Sequence, residues 1–389
     1  MSYFHWIAGI ILGLMWFSRL LDAALGMPKV ANISRPEWDP EPDDPKPRVS
    51  IIVPARNEEQ HIEQTLVRLL ALDYENYEVI AVNDRSTDRT GAAMDRVVSA
   101  SKADGRLRVI HVDSLPPGWM GKPHAMWTGA NGASGDWLLF TDADVLFKPD
   151  VVSRAVNYAE SQRADHVVLF PRLIMHTPGE RMMVAFFQTL FVFGHRPWKV
   201  ADPESRDHMG VGAFNLIRRR VYDAIGTYQA LCFEVLDDMK LGKLVKNAGY
   251  AQRNVFGHDL ISLRWVKGAM GMVENLTKNF FAIMSFQWPR TLGSVFMLLF
   301  LNLVPFLGVW LAHGWARLPY AVALISMAGL YLGMSWMSDV AAYYFFLHPI
   351  STVMFAYILL RSMALTLRQR GIFWRGTFYP LDELRKGMV

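Results

Sequence analysis

Two aspartates, two residues apart, follow an apolar run in the stretch GDWLLFTDADV at residues 135–145. The run WLLF is typical of a buried strand, and side chains two apart on an extended chain point to the same side. Asp142 and Asp144 can therefore reach one ion where the strand opens into a loop. Oxygen ligands favour a hard divalent cation, Mg2+ or Mn2+, whose shell is completed by substrate phosphates and water. A solvated surface turn is the alternative for so short a motif.

Short apolar runs alternate with helical patterns from Val49 onwards. The runs are VSIIVPA, YEVIAVND, LRVIHVD and DWLLFTDAD, and residues 58–72, 88–103 and 120–133 between them can form crossover helices. This pattern predicts an α/β fold with a doubly wound, mostly parallel sheet. Ligands of such sheets bind beyond the carboxyl ends of the strands. The polar residues at those ends are Arg56, Asn57, Glu58, Asn83, Asp84, Asp142 and Asp144.

Composition points to a membrane. Hydrophobic residues make up 52% of the 389 residues, which is high for a purely soluble enzyme, and they concentrate in the first 25 residues and beyond about residue 292. The net charge is +4, yet no Lys/Arg run with interleaved aromatics occurs, so anionic lipid is a better partner than nucleic acid. The single cysteine, Cys232, excludes internal disulfides and thiolate metal clusters and is expected to be a small buried hydrophobe.

The order of segments predicts a membrane-anchored α/β domain. The first segment lacks Lys or Arg before Arg19, which favours an uncleaved anchor over a signal peptide. Prolines and acidic residues after it favour a linker. The predicted segments are an anchor at 1–27, a linker at 28–48, the α/β domain at 49–268, an interfacial amphipathic helix at 269–291, transmembrane helices at 292–367 and a basic tail at 368–389.

The basic residues near the apolar segments predict which side of the membrane each part occupies. Lys29 and Arg35 favour a cytoplasmic α/β domain. Three full C-terminal spans would place the tail on the opposite side, although its basic residues also favour the cytoplasm. We therefore expect two to three spans, with the segment that begins at His348 and Pro349 as the re-entrant one. The apolar segments are 294–313, 319–337 and 347–367, and the basic residues after them are Arg368, Arg370, Arg375, Arg385 and Lys386.

Five motifs follow one another along the chain. They are VSIIVPARNEE at Val49, VNDRSTDRTG at Val82, GKPHAMWTGA at Gly121, TDADV at Thr141 and EVLDDMKLGKLVKNAGY at Glu234. Their order and spacing resemble those of family 2 glycosyltransferases with the GT-A fold, over residues 49–265. The anchored architecture resembles that of bacterial lipid-, carotenoid- and hopanoid-associated members of the family.

The resemblance implies metal-dependent, inverting transfer of one sugar from a UDP-sugar to a lipid-like acceptor. Asp84 matches the nucleotide-binding aspartate, while Ser86 or Asp88 can cap the following helix. Asp142 and Asp144 match the metal-binding pair. The implied substrate-binding residues are Pro54, Arg56, Asn57, Glu58, Asp84, Lys122, Asp142, Arg264 and Trp265.

The resemblance also implies a catalytic base in the motif VLDDMK. Asp238 matches the family's base, and Asp237 is its near rival. Members that polymerise sugars carry Q/R-x-x-R-W after this point. Arg264 and Trp265 are present here, but Ile261 stands in the Gln/Arg position, which argues against processive synthesis.

Three other functions compete with this interpretation. LLFTDADV fits haloacid-dehalogenase-type phosphatases with Asp142 as nucleophile, but in those enzymes the motif lies on the opening strand, and here three candidate strands precede it. A dinucleotide oxidoreductase would need a GxGxxG after a strand, which is missing. A non-catalytic nucleotide-sugar-binding membrane protein would have no use for Asp238. Because nucleotide sugars are cytosolic, we expect a multi-pass inner-membrane protein with a cytoplasmic catalytic domain.

Overall fold

The computed structural model describes residues 2–39, 46–100 and 105–387. Its contacts divide the chain into two compact units. The sheet unit comprises Val30–Ile174, Lys199–Arg264 and Phe373–Val389, and the helical unit comprises Met1–Lys29, Met175–Trp198 and Trp265–Ile372. Residues 175–198, which lie inside the domain predicted at 49–268, thus belong with the apolar helices, and the C-terminal residues belong with the sheet.

The strands, in chain order, are β1 Val49–Ala55, β2 Tyr77–Asp84, β3 Leu107–Val112, β4 Trp137–Phe140, β5 Leu146–Phe147, β6 His166–Phe170, β7 Arg172–Leu173, β8 Asn215–Arg218, β9 Gln252–Phe256, β10 Ile261–Leu263, β11 Gly371–Trp374 and β12 Thr377–Pro380. The helices are α1 Ser2–Gly26, α2 Ile62–Leu70, α3 Thr90–Ala100, α4 Gly121–Asn131, α5 Val151–Ser161, α6 Pro178–Gly194, α7 Arg219–Ala224, α8 Asp237–Asn247, α9 Gly268–Ile283, α10 Trp288–Leu311, α11 Leu318–Ser335, α12 His348–Gln369 and α13 Leu381–Lys386.

The central sheet has seven strands in the order β3-β2-β1-β4-β8-β6-β9. Strand β1 pairs in parallel with β2 on one side and with β4 on the other, so that Ile51 lies between Val79 and Leu139. The winding reverses between β1 and β4, and ligands of doubly wound sheets bind where it does. Strand β8 runs antiparallel to β4 and β6. The predicted doubly wound, mostly parallel sheet is confirmed, with α2, α3 and α4 in the three predicted crossovers.

Side chains on both faces of the central sheet are buried, and their packing fixes the strands in place. Every residue of β1 and of β4 is buried. Ile52, Leu138 and Phe140 form one core cluster with Met126 of α4. Each such fully buried side chain stabilises the fold by roughly 2 kcal/mol. This packing fixes the strand ends from which the polar loops emerge.

The chain that leaves α1 runs along the edge of the sheet before it reaches β1. Ile33 N donates to Phe256 O at 2.8 Å, and Phe256 N donates to Ala31 O at 2.8 Å, beside β9. Trp38 packs edge-on against Tyr158 of α5, with ring centroids 4.8 Å apart. The first part of the predicted linker at 28–48 therefore pairs with the sheet, whereas residues 40–45 lie outside the described residues.

The C-terminal residues fold onto the sheet unit. Strands β11 and β12 form a hairpin, and α13 follows directly. Tyr379 is buried and packs edge-on against Phe233, with ring centroids 5.9 Å apart. Leu384 of α13 is fully buried. The segment that the sequence identifies only as a basic tail is thus a folded part of the sheet unit.

Among the described residues, four helices of the helical unit are long and apolar enough to cross a membrane, one N-terminal and three C-terminal, which is the upper end of the predicted two to three C-terminal spans. Helices α1 and α11 run parallel, because Gly13 meets Pro319 while Leu20 meets Gly329. The four candidate spans are Tyr3–Lys29, Trp288–Leu311, Gly314–Ser335 and Ala342–Gln369.

A buried polar group lies among these helices where α12 begins. His348 Nε2 lies 3.0 Å from Asn302 Oδ1, halfway along α10, and His348 Nδ1 lies 3.0 Å from the hydroxyl of Tyr331 in α11. The indole of Trp16 donates to Leu301 O at 3.0 Å. In an apolar surrounding such groups must be satisfied within the protein, and here they bond to one another.

Candidate active site

The loops after β1 and β4 open at the point where the winding of the sheet reverses. Pro54 is buried near the end of β1 and is followed by Arg56 and Glu58. Beyond β4, Thr141 is fully buried, and its hydroxyl donates to Ala213 O at 2.8 Å. This bond fixes the start of the loop that carries the two aspartates.

Lys122 connects the carboxylate after β4 with those at the start of α8. It is the second residue of α4, and its Nζ lies 2.7 Å from Asp142 Oδ1. The same Nζ lies 3.9 Å from Asp237 Oδ1. Burial alone would lower the Lys122 pKa, but Asp142, Asp237 and Asp238 outweigh it and raise that pKa, so the amine stays charged.

The two aspartates at the start of α8 have different surroundings. Asp237 is buried, and its Oδ2 accepts a hydrogen bond of 3.4 Å from the Tyr228 hydroxyl. Asp238 is half-buried, and its Oδ1 accepts from Met239 N at 2.7 Å. Asp238 is thus the more accessible of the two predicted catalytic residues, and Asp237 faces Lys122.

Burial and neighbouring charges shift both carboxyl groups in the same direction. Burial raises the pKa of Asp237 to about 7, although Lys122 opposes the shift. Burial also raises the pKa of Asp238, with Lys122 again acting against it. A carboxyl group with a raised pKa is a stronger base once it is deprotonated, which suits general-base chemistry near neutral pH.

Two glycines let the chain before β8 approach these aspartates. A Cβ at Gly212 would lie 2.5 Å from Asp142 Oδ2 and 3.2 Å from Lys122 Nζ. A Cβ at Gly210 would collide with the backbone carbonyl of Asp238. A side chain at position 212 would displace the Asp142 carboxylate, and one at position 210 would displace the backbone of Asp238.

The loops after β1 and β2 are joined by hydrogen bonds. Asn57 adopts a left-handed backbone, with φ 55°, and its Oδ1 accepts from Thr87 N at 2.8 Å. Glu58 N donates to the hydroxyl of Thr90 at 2.7 Å. Asp88 Oδ1 accepts from Thr90 N at 2.9 Å where α3 begins, which is the capping role considered for it. Asn57 therefore orders the loops, and it has an exposed side chain.

Asp84 lies at the end of β2 between two arginines. Its carboxylate is 4% exposed and accepts from Arg85 Nε at 2.7 Å and from Arg85 Nη2 at 3.0 Å. Arg56 Nη1 lies 3.9 Å from Asp84 Oδ2. The carboxylate that is predicted to bind the nucleotide therefore already forms a bidentate ion pair with Arg85. The sequence does not indicate this pairing.

Arg264 and Trp265 are the last residue of one stretch of the sheet unit and the first of a stretch of the helical unit. The ring of Trp265 packs against Phe187 of α6, with centroids 4.7 Å apart. Their predicted role in substrate binding stays a prediction.

The chain matches known glycosyltransferases. Residues 50–226 match the family described as Glycosyl transferase family 2. The 4,4'-diaponeurosporenoate glycosyltransferase of Staphylococcus aureus (strain USA300) is 23% identical over 345 residues, which cover 86% of this chain and 89% of that protein. Residues 50–226 thus form a family 2 glycosyltransferase domain, and the matches support a glycosyltransferase. The phosphatase, oxidoreductase and non-catalytic interpretations are thereby set aside.

The fold of this glycosyltransferase is also that of a solved enzyme. The mannosyltransferase PcManGT from Pyrobaculum calidifontis, solved in complex with GDP-Man and Mn2+, superposes with a TM-score of 0.56 at 20% identity. The superposition covers 94% of this chain and 99% of that one. At this identity the likeness concerns the fold alone, and it agrees with the predicted GT-A architecture.

The predicted metal pair of the glycosyltransferase consists of oxygen donors only. Burial raises the pKa of Asp144 to about 6, and the charges of Asp142 and Glu58 add to the shift. Such mutual repulsion is relieved by a cation. Among the described residues, no group of three or more His, Cys, Asp or Glu side chains could hold a metal. A bound cation would therefore take its remaining ligands from substrate and water, as Mg2+ commonly does.

Several residues at this site escape the sequence analysis. Arg375 Nη2 lies 2.8 Å from Glu58 Oε1, although the two residues are 317 positions apart. The Tyr379 hydroxyl accepts from Gly121 N at 3.1 Å. The sequence contains one usable signal, the Arg-Gly pair between the runs GIFW and TFYP, which is typical of a hairpin turn.

Proposed function

We propose that the protein transfers a single sugar, with inversion, from a UDP-sugar to a lipid-like acceptor at the membrane. The observation that carries the proposal is the position of Lys122. Its amine lies within 3.9 Å of Asp142 on one side and of Asp237 on the other. The metal-side and base-side carboxylates therefore face a single small space, as sugar transfer from a diphosphate requires.

Asp142 and Asp144 are the residues that would hold Mg2+ or Mn2+, and the ion would neutralise the charge of the departing diphosphate. Both are oxygen donors, and the repulsion that raises the Asp144 pKa favours a cation there. Lys122 reaches the same region and adds a second positive charge. On the nucleotide side, Asp84 is available to the base or ribose, with Arg85 as the partner it would have to share.

Asp238 acts as the base in this proposal. It removes the proton of the acceptor hydroxyl as the hydroxyl oxygen attacks the anomeric carbon. The bond from that carbon to the diphosphate oxygen breaks, and its electron pair leaves with UDP. Attack from the face opposite the diphosphate inverts the configuration. The half-buried position of Asp238 and the full burial of Asp237 support this division of roles.

The membrane architecture supports a lipid-like acceptor. Among the described residues, four helices are long and apolar enough to span a membrane. The relative from Staphylococcus aureus is named 4,4'-diaponeurosporenoate glycosyltransferase. Transfer of one sugar, rather than processive synthesis, is favoured because Ile261 stands where polymerising members carry Gln or Arg.

The direction of the helices supports a re-entrant last segment, and Lys29 and Arg35, at and just after the end of the first candidate span, support a cytoplasmic site. Helix α1 leads into the sheet unit at Val30, and α11 runs parallel to α1, so both end on the same side. Helix α12 ends on that side too, because the chain re-enters the sheet unit at Phe373. Two consecutive helices cannot both cross in one direction. This supports the interpretation that the segment that begins at His348 and Pro349 is re-entrant, so that α11 and α12 end on the same side.

The test of this function is a panel of labelled UDP-sugars offered, with Mn2+ or Mg2+, to membranes that contain the full chain. We expect one UDP-sugar to label the organic extract, and we expect a chelator to stop the labelling. Membranes with Asp142→Asn protein provide the matched control. Label found only in water-soluble product would contradict the lipid-like acceptor, and equal labelling after chelation would contradict the metal.

A further inference from the structure

A hairpin from the extreme end of the chain reaches the loops that we assign to the sugar donor. Arg375 and Gly376 form its two-residue turn, with φ values of 47° and 76°. Two consecutive left-handed residues are typical of the turn that matches the twist of a β-hairpin. The turn therefore holds the Arg375 side chain at the tip.

The tip is bound to the loop after β1. The Arg375 guanidinium donates from Nη1 to Arg56 O at 3.1 Å and pairs through Nη2 with Glu58 at 2.8 Å. The base of the hairpin is fixed to the start of α4, because the Tyr379 hydroxyl accepts from Gly121 N, next to Lys122. The hairpin thus connects two of the elements that surround the site.

Positive charge is concentrated under the hairpin. Arg56 is only 12% exposed, and its Nε is buried without a hydrogen-bond partner among the described residues. A Cβ on Gly376 would lie 3.6 Å from Arg56 Nη2. Arg85 lies on the other side of Asp84. Three guanidinium groups, with a buried donor still to be satisfied, suit a ligand that carries several anionic oxygens.

We propose that the C-terminal hairpin forms part of the donor site and that Arg375 binds the diphosphate of the nucleotide sugar, leaving Glu58 when the donor enters. This inference rests on the proposed function. Arg375 is suited to the exchange because its side chain is 45% exposed, and an ion pair open to solvent, as that with Glu58 is on the arginine side, is weak.

The test compares nucleoside diphosphates with their nucleosides, on the full chain in detergent with Mn2+. Affinities for UDP, GDP, uridine and guanosine are measured for the wild type, Arg375→Asn and Arg375→Lys. Asn is chosen because Asn-Gly is the preferred sequence for this turn, so the hairpin keeps its backbone. Arg368→Ala, an exposed change in the last turn of α12, is the matched control for loss of one positive charge.

We expect Arg375→Asn to bind the preferred diphosphate about 10- to 100-fold more weakly, as for loss of a hydrogen bond between charged groups. Its nucleoside affinity should stay within about twofold of the wild type, since the nucleoside has no phosphate for the guanidinium to contact. The decisive quantity is the affinity for the diphosphate divided by the affinity for its nucleoside. A smaller fraction of folded protein lowers both affinities equally and leaves this ratio unchanged. Arg375→Lys should lower the ratio less. Should Arg375→Asn fail to fold, the ratio for Arg375→Lys alone decides.

An unchanged ratio in the Arg375 variants, beside a wild type that prefers the diphosphate, would overturn the inference and leave the proposed function standing. A wild type that binds neither diphosphate more tightly than its nucleoside would overturn both. A loss in Arg368→Ala equal to that in Arg375→Asn would show a general effect of charge and would also overturn the inference.

Discussion

Lys122 Nζ lies 2.7 Å from Asp142 Oδ1, so the first aspartate of the DxD pair has a cationic partner supplied by α4. The partner is also 3.9 Å from Asp237. One ammonium group therefore compensates carboxylates from two loops that are almost a hundred residues apart. Removing it should change the protonation of these groups as well as the binding of phosphate.

Lys122→Gln should shift the acid side of the pH profile to higher pH. Burial raises the pKa of Asp237 and of Asp238, and the charge of Lys122 lowers both. Without that charge the pKa of both carboxyl groups is higher. The base must be deprotonated to act, so the enzyme then needs a higher pH to reach the same activity. We expect the acid-side midpoint of kcat/KM to move to higher pH.

The pH profile of Lys122→Gln is to be compared with that of Lys148→Gln. Lys148 forms an exposed ion pair with Asp259, so its loss should leave the profile in place. An acid limb that stays where it is in Lys122→Gln, or moves to lower pH, would contradict the electrostatic link between Lys122 and the base.

Gly212→Ala should damage transfer without unfolding the protein. The new Cβ would lie 2.5 Å from Asp142 Oδ2, so Asp142 and Lys122 must move. Such overpacking costs typically 1 to 3 kcal/mol, and we expect kcat/KM to fall by about 10- to 100-fold. Gly194→Ala is the control, because no described atom lies within 4 Å of its Cβ. Equal activity in the two variants would show that the spacing at Asp142 is not important.

The C-terminal residues should lie on the same side of the membrane as the catalytic domain. In a Cys232→Ser background, a membrane-impermeant maleimide is applied to Lys386→Cys and Trp315→Cys in intact and in permeabilised cells. We expect Trp315→Cys, before α11, to label in intact cells, and Lys386→Cys only after permeabilisation. Labelling of Lys386→Cys from outside would contradict the re-entrant path of the last segment.

The sequence predicts where the central loops of the candidate site meet, for a physical reason. Asp84 and Asp142 follow strands whose carboxyl ends meet at one edge of a parallel sheet, so a strand pattern is enough to bring their loops together. The motif resemblance adds Lys122 and Asp238. The crossovers α2, α3 and α4 follow from apolar periodicity within each short segment.

The rest of the site depends on contacts that local patterns do not encode. Arg375 meets Arg56 across 319 positions, after the last apolar helix. Whether Asp84 is solvated or paired is decided by the rotamer of Arg85. Residues 175–198 are apolar enough for either a soluble core or a membrane layer, and only their packing assigns them to the helical unit.

The base is the central claim, and Asp238→Asn in the full chain tests it most directly. Transfer from the labelled donor and affinity for UDP with Mn2+ are measured together, with Asp237→Asn beside it. We expect Asp238→Asn to lose about 100- to 10,000-fold in transfer while it binds UDP nearly as the wild type does, and we expect Asp237→Asn to keep measurable transfer. Near-normal transfer by Asp238→Asn would contradict the assignment of the base.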